Sequence, residues 1–200
     1  MEKDITVLCE TFRELKQMKN QNWAEAIVSI WKEVLERSEW EKAEDARFSY
    51  GIRDISLLGH TRAVLDHALD IANDLEKVHH LSVHVDKDVL VTGCLLHDVD
   101  KLLALSPDGK GGCVPTDIGF DYQHGFYSAY YAEKAGFPAE IVTMIINHTA
   151  ISRMMPTSLE GVILYFADMA DAEIIKFAYG QTPSVLKAIG KMPSSRSKMK

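Results

Sequence analysis

Apolar residues recur at helical spacing along most of the chain. In the first forty residues, a rhythm of three to four residues predicts two amphipathic helices. The rhythm resumes at Leu57 and continues through further apolar segments. These cover residues 57–77, 86–105, 121–135, 138–148 and 158–168. Apart from residues 81–85, no alternating pattern bounded by turns indicates a strand. We therefore predict an all-α, single-domain helical bundle with negligible strand.

Residues at the segment ends support these helices. Asp86 and Ser158 are suited to helix N-termini, where their side chains can accept backbone N–H bonds. Gly136 suits a C-cap, and Pro138 suits the first turn of the next helix. Residues 106–119 are rich in glycine and proline and predict a loop. The charged stretch from residue 37 to 53 predicts a connection.

The chain is long enough for one domain with a sizeable core. We divide it into amino-terminal helices packing on the core (residues 1–52), a helical domain (53–180) and a basic tail (181–200). The tail has five lysines or arginines and no acid, and its composition predicts disorder. Docking of an anionic partner is the alternative for this tail.

Charge and hydropathy restrict the partners and the cellular location that we expect for the protein. The net charge of −7 argues against a general nucleic-acid binder. No uninterrupted apolar run is long enough to span a membrane, and the first residues do not resemble a signal peptide, so we expect a cytoplasmic protein. Three separated cysteines indicate neither disulfides nor a thiolate metal site. The sequence is compatible with either a monomer or a homo-oligomer.

Several ionisable residues fall on the apolar stripes, where burial without partners would cost several kcal/mol each. They are His60, His97, Asp98 and Asp168. One such histidine would usually be a core residue hydrogen-bonded to a carbonyl. A shared metal ion satisfies all four residues together. Imidazole and carboxylate ligands suit Mn, Fe, Co, Ni or Zn, and the carboxylates are also compatible with Mg.

This arrangement resembles the HD superfamily of metal-dependent phosphohydrolases, whose pattern is a histidine, a later His-Asp pair and a final aspartate. The similarity extends through Gly93-Cys-Leu-Leu-His-Asp-Val-Asp-Lys101, with Asp100 where the family usually has glycine. It implies an HD-type metal-binding domain over residues 53–180. It also implies that Asp98 is the central catalytic carboxylate and that Lys101 neutralises a phosphate oxygen.

Two later histidines also resemble family segments. His124 is followed directly by glycine, and His148 lies in Ile-Ile-Asn-His-Thr, where the two-metal branch has two adjacent histidines. The resemblance implies either a second ion, held by His124 and His148 with Asp98 bridging, or a one-metal enzyme in which these histidines bind substrate phosphate. One or two ions per chain are therefore expected.

We expect several other polar residues not to be metal ligands. Lys110 lies in a glycine-rich segment that could close over a phosphate but is more typical of a flexible loop. His79, His80 and His84 form a cluster between two helices that we interpret as a solvated surface. Asp171, one turn beyond Asp168, is expected to be a supporting or exposed acid rather than a ligand.

The resemblance implies a phosphomonoesterase or phosphodiesterase whose substrate is a nucleotide or another small phosphorylated metabolite. One alternative is an HD-type signalling or interaction module without activity, although such modules generally lack ligands that are present here. Another is an HD-type oxygenase or lyase. The expected substrate class is thus small phosphorylated metabolites in general, with no particular compound indicated.

Overall fold

The computed structural model describes residues 3, 6–79, 82, 84–183 and 185. The predicted tail lies almost wholly outside these residues, as does His80. Within them the chain is mostly helical, which confirms the predicted fold class. No helix among the described residues is long and apolar enough to cross a membrane.

The elements follow one another along the chain with short connections. The first half contains α1 (Thr6–Thr11), a 3-10 turn (Arg13–Lys16), α2 (Gln21–Arg37), a second 3-10 turn (Ala43–Asp45), β1 (Arg47–Ser49), β2 (Ile52–Ser56), α3 (Leu57–Lys77) and α4 (Lys87–Leu96). The second half contains α5 (Lys101–Ala104), β3 (Leu105–Pro107), β4 (Cys113–Pro115), α6 (Asp117–Asp121), α7 (Phe126–Lys134), α8 (Ala139–Ile146) and α9 (Leu159–Ala178).

Helix α4 is the centre of the bundle. Every residue from Val89 to Leu96 is buried, because α2, α3, α8 and α9 all pack around this helix. This explains why its sequence is apolar on all sides instead of amphipathic. A Cβ at Gly93 would lie 1.7 Å from the Met144 side chain, so glycine allows α8 to approach closely.

The amino-terminal helices pack into the same core. Trp31 on α2 donates its indole N–H to the Leu95 carbonyl at 2.8 Å, and Trp40 donates to the Leu105 carbonyl at 2.8 Å. Arg62 on α3 forms an ion pair with Glu14 at 2.7 Å. Buried polar groups of the bundle are therefore satisfied by residues that precede it in the chain. The domain boundaries stay a prediction.

Two short antiparallel hairpins depart from the predicted connections. Strands β1 and β2 pair Arg47 with Ser56, within a region expected to be irregular. Strands β3 and β4 pair Leu105 with Pro115, so residues 106–119 are not the predicted plain loop. Prolines are tolerated there because a two-stranded hairpin consists only of edge strands.

Three helix ends also differ from the sequence prediction. The segment expected to run to residue 105 breaks after Leu96, so His97 and Asp98 lie in a turn and not late in a helix. Helix α7 begins at Phe126 instead of Asp121, and α8 ends at Ile146. The predicted caps are confirmed: Asp86 accepts from Asp88 and Val89, and Ser158 accepts from Gly161. Gly136 follows α7 with φ +81°.

Candidate metal centre

Six side chains from separate parts of the chain meet at one place, which we call the His/Asp cluster. His60 comes from α3 and Asp168 from α9. The others come from turns beside α4, α7 and α8. The members are His60, His97, Asp98, His124, His148 and Asp168. All are buried except His124, whose side chain is 27% exposed and therefore lies at the mouth of the cluster.

Four of these residues form a first group, whose ligand atoms all lie within 4.8 Å of one another. His60 Nε2 is 3.1 Å from Asp98 Oδ2 and 3.2 Å from Asp168 Oδ1. His97 Nε2 is 3.3 Å from Asp98 Oδ2. Two imidazoles and two carboxylates thus face one point, as the sequence predicted for these four residues.

A second group shares Asp98 with the first. The other carboxylate oxygen, Asp98 Oδ1, is 2.8 Å from His124 Nε2 and 3.6 Å from His148 Nε2. Asp98 therefore presents one oxygen to each group. This arrangement is compatible with a carboxylate that bridges two ions.

His97 and His148 are oriented by the backbone of their own turns. His97 Nδ1 is 2.7 Å from the Cys94 carbonyl, and His148 Nδ1 is 2.5 Å from the Ile145 carbonyl. A carbonyl only accepts, so each Nδ1 carries the proton and donates it. Each neutral ring then presents the lone pair of Nε2 to the cluster, as a metal ligand requires.

His60 and His124 are oriented by carboxylates instead. His60 Nδ1 lies 2.6 Å from Asp171 Oδ2, which agrees with the supporting role expected for Asp171. His124 Nδ1 lies 3.4 Å from Asp100 Oδ1. Asp100 also accepts the Gly125 N–H at 2.6 Å. All four imidazoles therefore have Nδ1 facing an oxygen and Nε2 facing the cluster.

The facing nitrogens indicate that the cluster suits a cation. The Nε2 atoms of His60 and His97 are 3.5 Å apart, and those of His124 and His148 are 3.3 Å apart. Two neutral rings would point lone pairs at each other, so each pair needs a cation between its nitrogens, either a shared proton or a metal ion that accepts both lone pairs. Asp98 Oδ1 is buried and accepts no hydrogen bond. These residues could therefore hold a divalent metal ion.

The pKa values reflect the same need for positive charge. Burial lowers the pKa of His60, but the carboxylates of Asp168, Asp171 and Asp98 outweigh burial and raise it to about 10. Burial raises the pKa of Asp98, yet Lys101 and the nearby histidines bring it well below its usual range. The aspartate thus stays ionised, the form that binds a metal.

The His124 ring shows the effect at the mouth of the cluster. Burial lowers its pKa, and the negative charges of Asp100 and Asp98 raise it to about 10. His148 also faces Asp98 and Asp168, but burial outweighs these carboxylates and lowers its pKa. Either a proton or a metal ion at His124 would balance the negative charges of Asp100 and Asp98.

Lys101 reaches the cluster from the first turn of α5. Its ammonium lies 2.5 Å from Asp98 Oδ2 and 4.2 Å from the centre of the Phe48 ring. Phe48 also contacts His60, with 4.2 Å between ring centres. The β1 strand therefore supplies an aromatic wall that holds the lysine over the carboxylate.

Sequence reasoning missed some contributors and misplaced others. His124 and His148 lie in turns, although the predicted helical segments 121–135 and 138–148 include them. In the sequence, Asp100 stands out only as a departure from the motif, and Phe48 gives no signal because its segment has the charged composition of a connection. Lys110, His79 and His84, which were predicted to have lesser roles, are exposed, and the three cysteines are free thiols.

The HD domain family matches residues 57–173 of this chain, more than half of its length. The matched span contains all six members of the His/Asp cluster. The chain therefore belongs to the HD domain family, as the resemblance of the His-Asp motif indicated.

A curated relative carries a named activity. The chain is 32% identical over 119 residues to the dihydroneopterin 2′,3′-cyclic phosphate phosphodiesterase of Methanocaldococcus jannaschii. The similarity covers 59% of this chain and 47% of that protein, so it spans about half the length of the relative. No solved structure matches this chain.

Proposed function

We propose that this protein is a metal-dependent phosphohydrolase with an ion held by His60, His97, Asp98 and Asp168. The observation that carries the proposal is the shared orientation of the imidazoles, each with Nδ1 on an oxygen and Nε2 toward the carboxylates. Membership of the HD domain family and the activity named for the relative support the same function. A module without activity would not need so complete a set of donors.

We also propose a second ion, held by His124 and His148 with Asp98 as the bridge. The support is that Asp98 turns a separate oxygen toward each group. Because this side offers only two imidazoles and a shared carboxylate, water or substrate phosphate would complete its coordination. In the alternative, His124 and His148 contact substrate phosphate in a one-metal enzyme.

Metal stoichiometry separates these two arrangements. If a second ion binds, His124→Ala or His148→Ala should reduce the metal content from about two ions per chain toward one. Elemental analysis of the purified variants measures this directly. A wild-type value of one, unchanged in both variants, would decide for the one-metal site.

Divalent ions held by these residues would supply an activated water and neutralise charge on the phosphate. The surrounding residues would prepare the site for this chemistry. Lys101 places its ammonium beside Asp98, and the face of the Phe48 ring packs against that ammonium. We propose that Lys101 neutralises a phosphate oxygen, while the buried carboxylates and imidazoles keep bulk water from all but the mouth of the cluster.

For the substrate, we propose a phosphodiester or phosphomonoester of a nucleotide or a similar small metabolite. The relative from Methanocaldococcus jannaschii is named for a cyclic phosphodiester, and this favours diesters as the first compounds to assay. Matched pairs of 2′,3′-cyclic phosphates and the corresponding monoesters would distinguish the two reactions.

The main test combines metal content with turnover. The wild-type protein, loaded in turn with Mn, Fe, Co, Ni, Zn and Mg, is assayed on these pairs. Asp98→Asn should lose both metal and activity, because it removes the charge that faces both groups. Asp121→Asn, at an exposed position, is the matched control. Full activity in Asp98→Asn would rule out the assignment.

A further inference from the structure

Two cavities share a wall beside the His/Asp cluster, and only the smaller of the two is lined by residues of the cluster. The smaller, which we call the metal cleft, has a volume of about 210 Å³, and its walls include Lys101, His124 and Asp168. The larger, which we call the apolar chamber, has a volume of about 540 Å³. Thr149, Met169 and Glu173 line both cavities and form their common wall.

The chamber differs sharply from the cleft in chemistry. Its apolar walls include Met154, Met155, Pro156, Tyr165, Phe166 and Met169. Met155 is 78% exposed and Phe166 is 60% exposed. Leaving such surface in water forgoes roughly 25 cal/mol per Å², so a continuous exposed patch of this kind indicates a ligand or partner.

The chamber is fixed relative to the cluster because the same two elements build both. The loop that follows His148 forms one wall, and α9, which carries Asp168, forms the other. Ser152 anchors the loop by donating its hydroxyl to the Ile146 carbonyl at 2.6 Å and its N–H to the Thr149 carbonyl at 3.0 Å. A ligand in the chamber would therefore lie at a set position from the metal cleft.

We propose that the apolar chamber binds a flat heteroaromatic group of the substrate while the phosphate of the same molecule lies in the metal cleft. The proposal rests on the proposed phosphohydrolase function. The cleft has the charges that suit a phosphate but is smaller than the roughly 300–1,000 Å³ typical of whole-ligand sites. The chamber offers thioethers and rings, which make favourable contacts with aromatic groups.

Two polar side chains of the chamber, Glu173 and Thr149, already have hydrogen-bond partners within the protein, and this affects selectivity. Glu173 accepts from Lys176 at 2.7 Å and from the Val185 N–H at 3.1 Å, and Thr149 accepts from the Ile151 N–H at 3.2 Å. Apolar walls discriminate weakly between similar ligands, whereas dedicated hydrogen bonds discriminate strongly. The chamber should thus select for a planar ring of the right size and tolerate different ring edges.

Paired variants on exposed apolar residues provide the test. The double variant Met155→Ser, Phe166→Ser removes two apolar side chains that line the chamber. Ile174→Ser with Phe177→Ser is the control, since both residues are similarly exposed, at 68% and 59%, and neither lines the chamber. Circular dichroism and melting curves of both double variants establish that they fold.

The first readout is binding of adenosine, which has an aromatic base and no phosphate to hydrolyse. Titration should show the dissociation constant rising at least tenfold in the chamber variant, about 1.4 kcal/mol, and unchanged in the control. No adenosine binding by the wild type, or equal losses in both double variants, would overturn the proposal.

The second readout compares turnover of adenosine 2′,3′-cyclic phosphate with that of glycerol 1,2-cyclic phosphate by the metal-loaded protein. The chamber variant should raise KM for the adenosine compound alone and leave kcat within about twofold. Adenosine binding that depends on the chamber, without hydrolysis of either compound or of the corresponding monoesters, would reject the phosphohydrolase function and keep the ligand class. If the wild type is a dimer that dissociates in the chamber variant while adenosine binding is unaltered, this face binds a second copy of the chain. That result would overturn the proposal.

Discussion

The carboxylate of Asp100 touches both the backbone and the ring that form the mouth of the His/Asp cluster. One oxygen accepts the Gly125 N–H, and the other lies beside His124 Nδ1 and accepts no hydrogen bond of its own. Gly125 has φ +87°, and a Cβ there would lie 3.3 Å from the His148 ring. Asp100 and Gly125 therefore position His124 together.

Loss of the Asp100 charge should weaken metal binding. In Asp100→Asn the side chain keeps its size but no longer attracts the Nδ1 proton of His124, so we expect metal affinity to fall roughly 10- to 100-fold. Competition with a chelator of known affinity measures this. Asp117→Asn, at an exposed position, should bind metal like the wild type. Unchanged affinity in Asp100→Asn would show that His124 is held by other contacts.

At the scale of elements, the break between α4 and α5 makes the cluster possible. The Asp100 N–H donates to the Ser128 hydroxyl at 3.0 Å, instead of to the carbonyl four residues earlier. Lys101 and Leu102 then bond to carbonyls three residues back, as in a tight turn. Helical spacing of apolar residues continues through this turn, so the sequence alone predicted one long helix.

The ion pair of Arg62 with Glu14 ties α3 to the amino-terminal turn. Burial alone would raise the pKa of Glu14, but the hydrogen bond and charge of Arg62 lower it below its usual value. A lowered pKa in the folded state means that the stabilisation is present above the unfolded pKa of Glu14 and is lost as the pH falls through its folded value.

Glu14→Gln should therefore be less stable than the wild type near pH 6 and should approach it near pH 3. Because the pair is partly exposed, the difference near pH 6 should be a few tenths to about 1 kcal/mol. Urea denaturation at both pH values measures it. Glu10→Gln, at an exposed position, corrects for net charge. A difference that grows as the pH falls would contradict the role of the ion pair.

At the scale of the whole molecule, the cluster joins segments that are more than a hundred residues apart. The sequence indicated His60, His97, Asp98 and Asp168 because ionisable residues on apolar stripes need a common partner. It could not indicate Phe48 or Asp100, since their contacts depend on the hairpin and on the turn before α7. Local patterns identify which residues are buried, whereas long-range packing decides what they touch.

Removal of metal should lower the melting temperature of the whole protein. An ion present at about 100 times its dissociation constant stabilises the folded state by about 2.7 kcal/mol. For a domain of this length, that corresponds to a shift of roughly 5–10 °C. Calorimetry before and after chelation measures it. Asp98→Asn should show no response to the chelator, and an unchanged wild-type transition after verified metal loss would contradict a shared site.

The carbonyl partners of His97 and His148 determine which neighbouring side chains can be substituted without reorienting these rings. Because Cys94 and Ile145 hold these rings through main-chain oxygens, their side chains are free to change wherever the core accepts the new volume. The orientation of His60 and His124 depends instead on the carboxylates of Asp171 and Asp100. Two of the four imidazoles of the cluster should thus be insensitive to the identity of their partner residue, and the other two should be sensitive to loss of its charge.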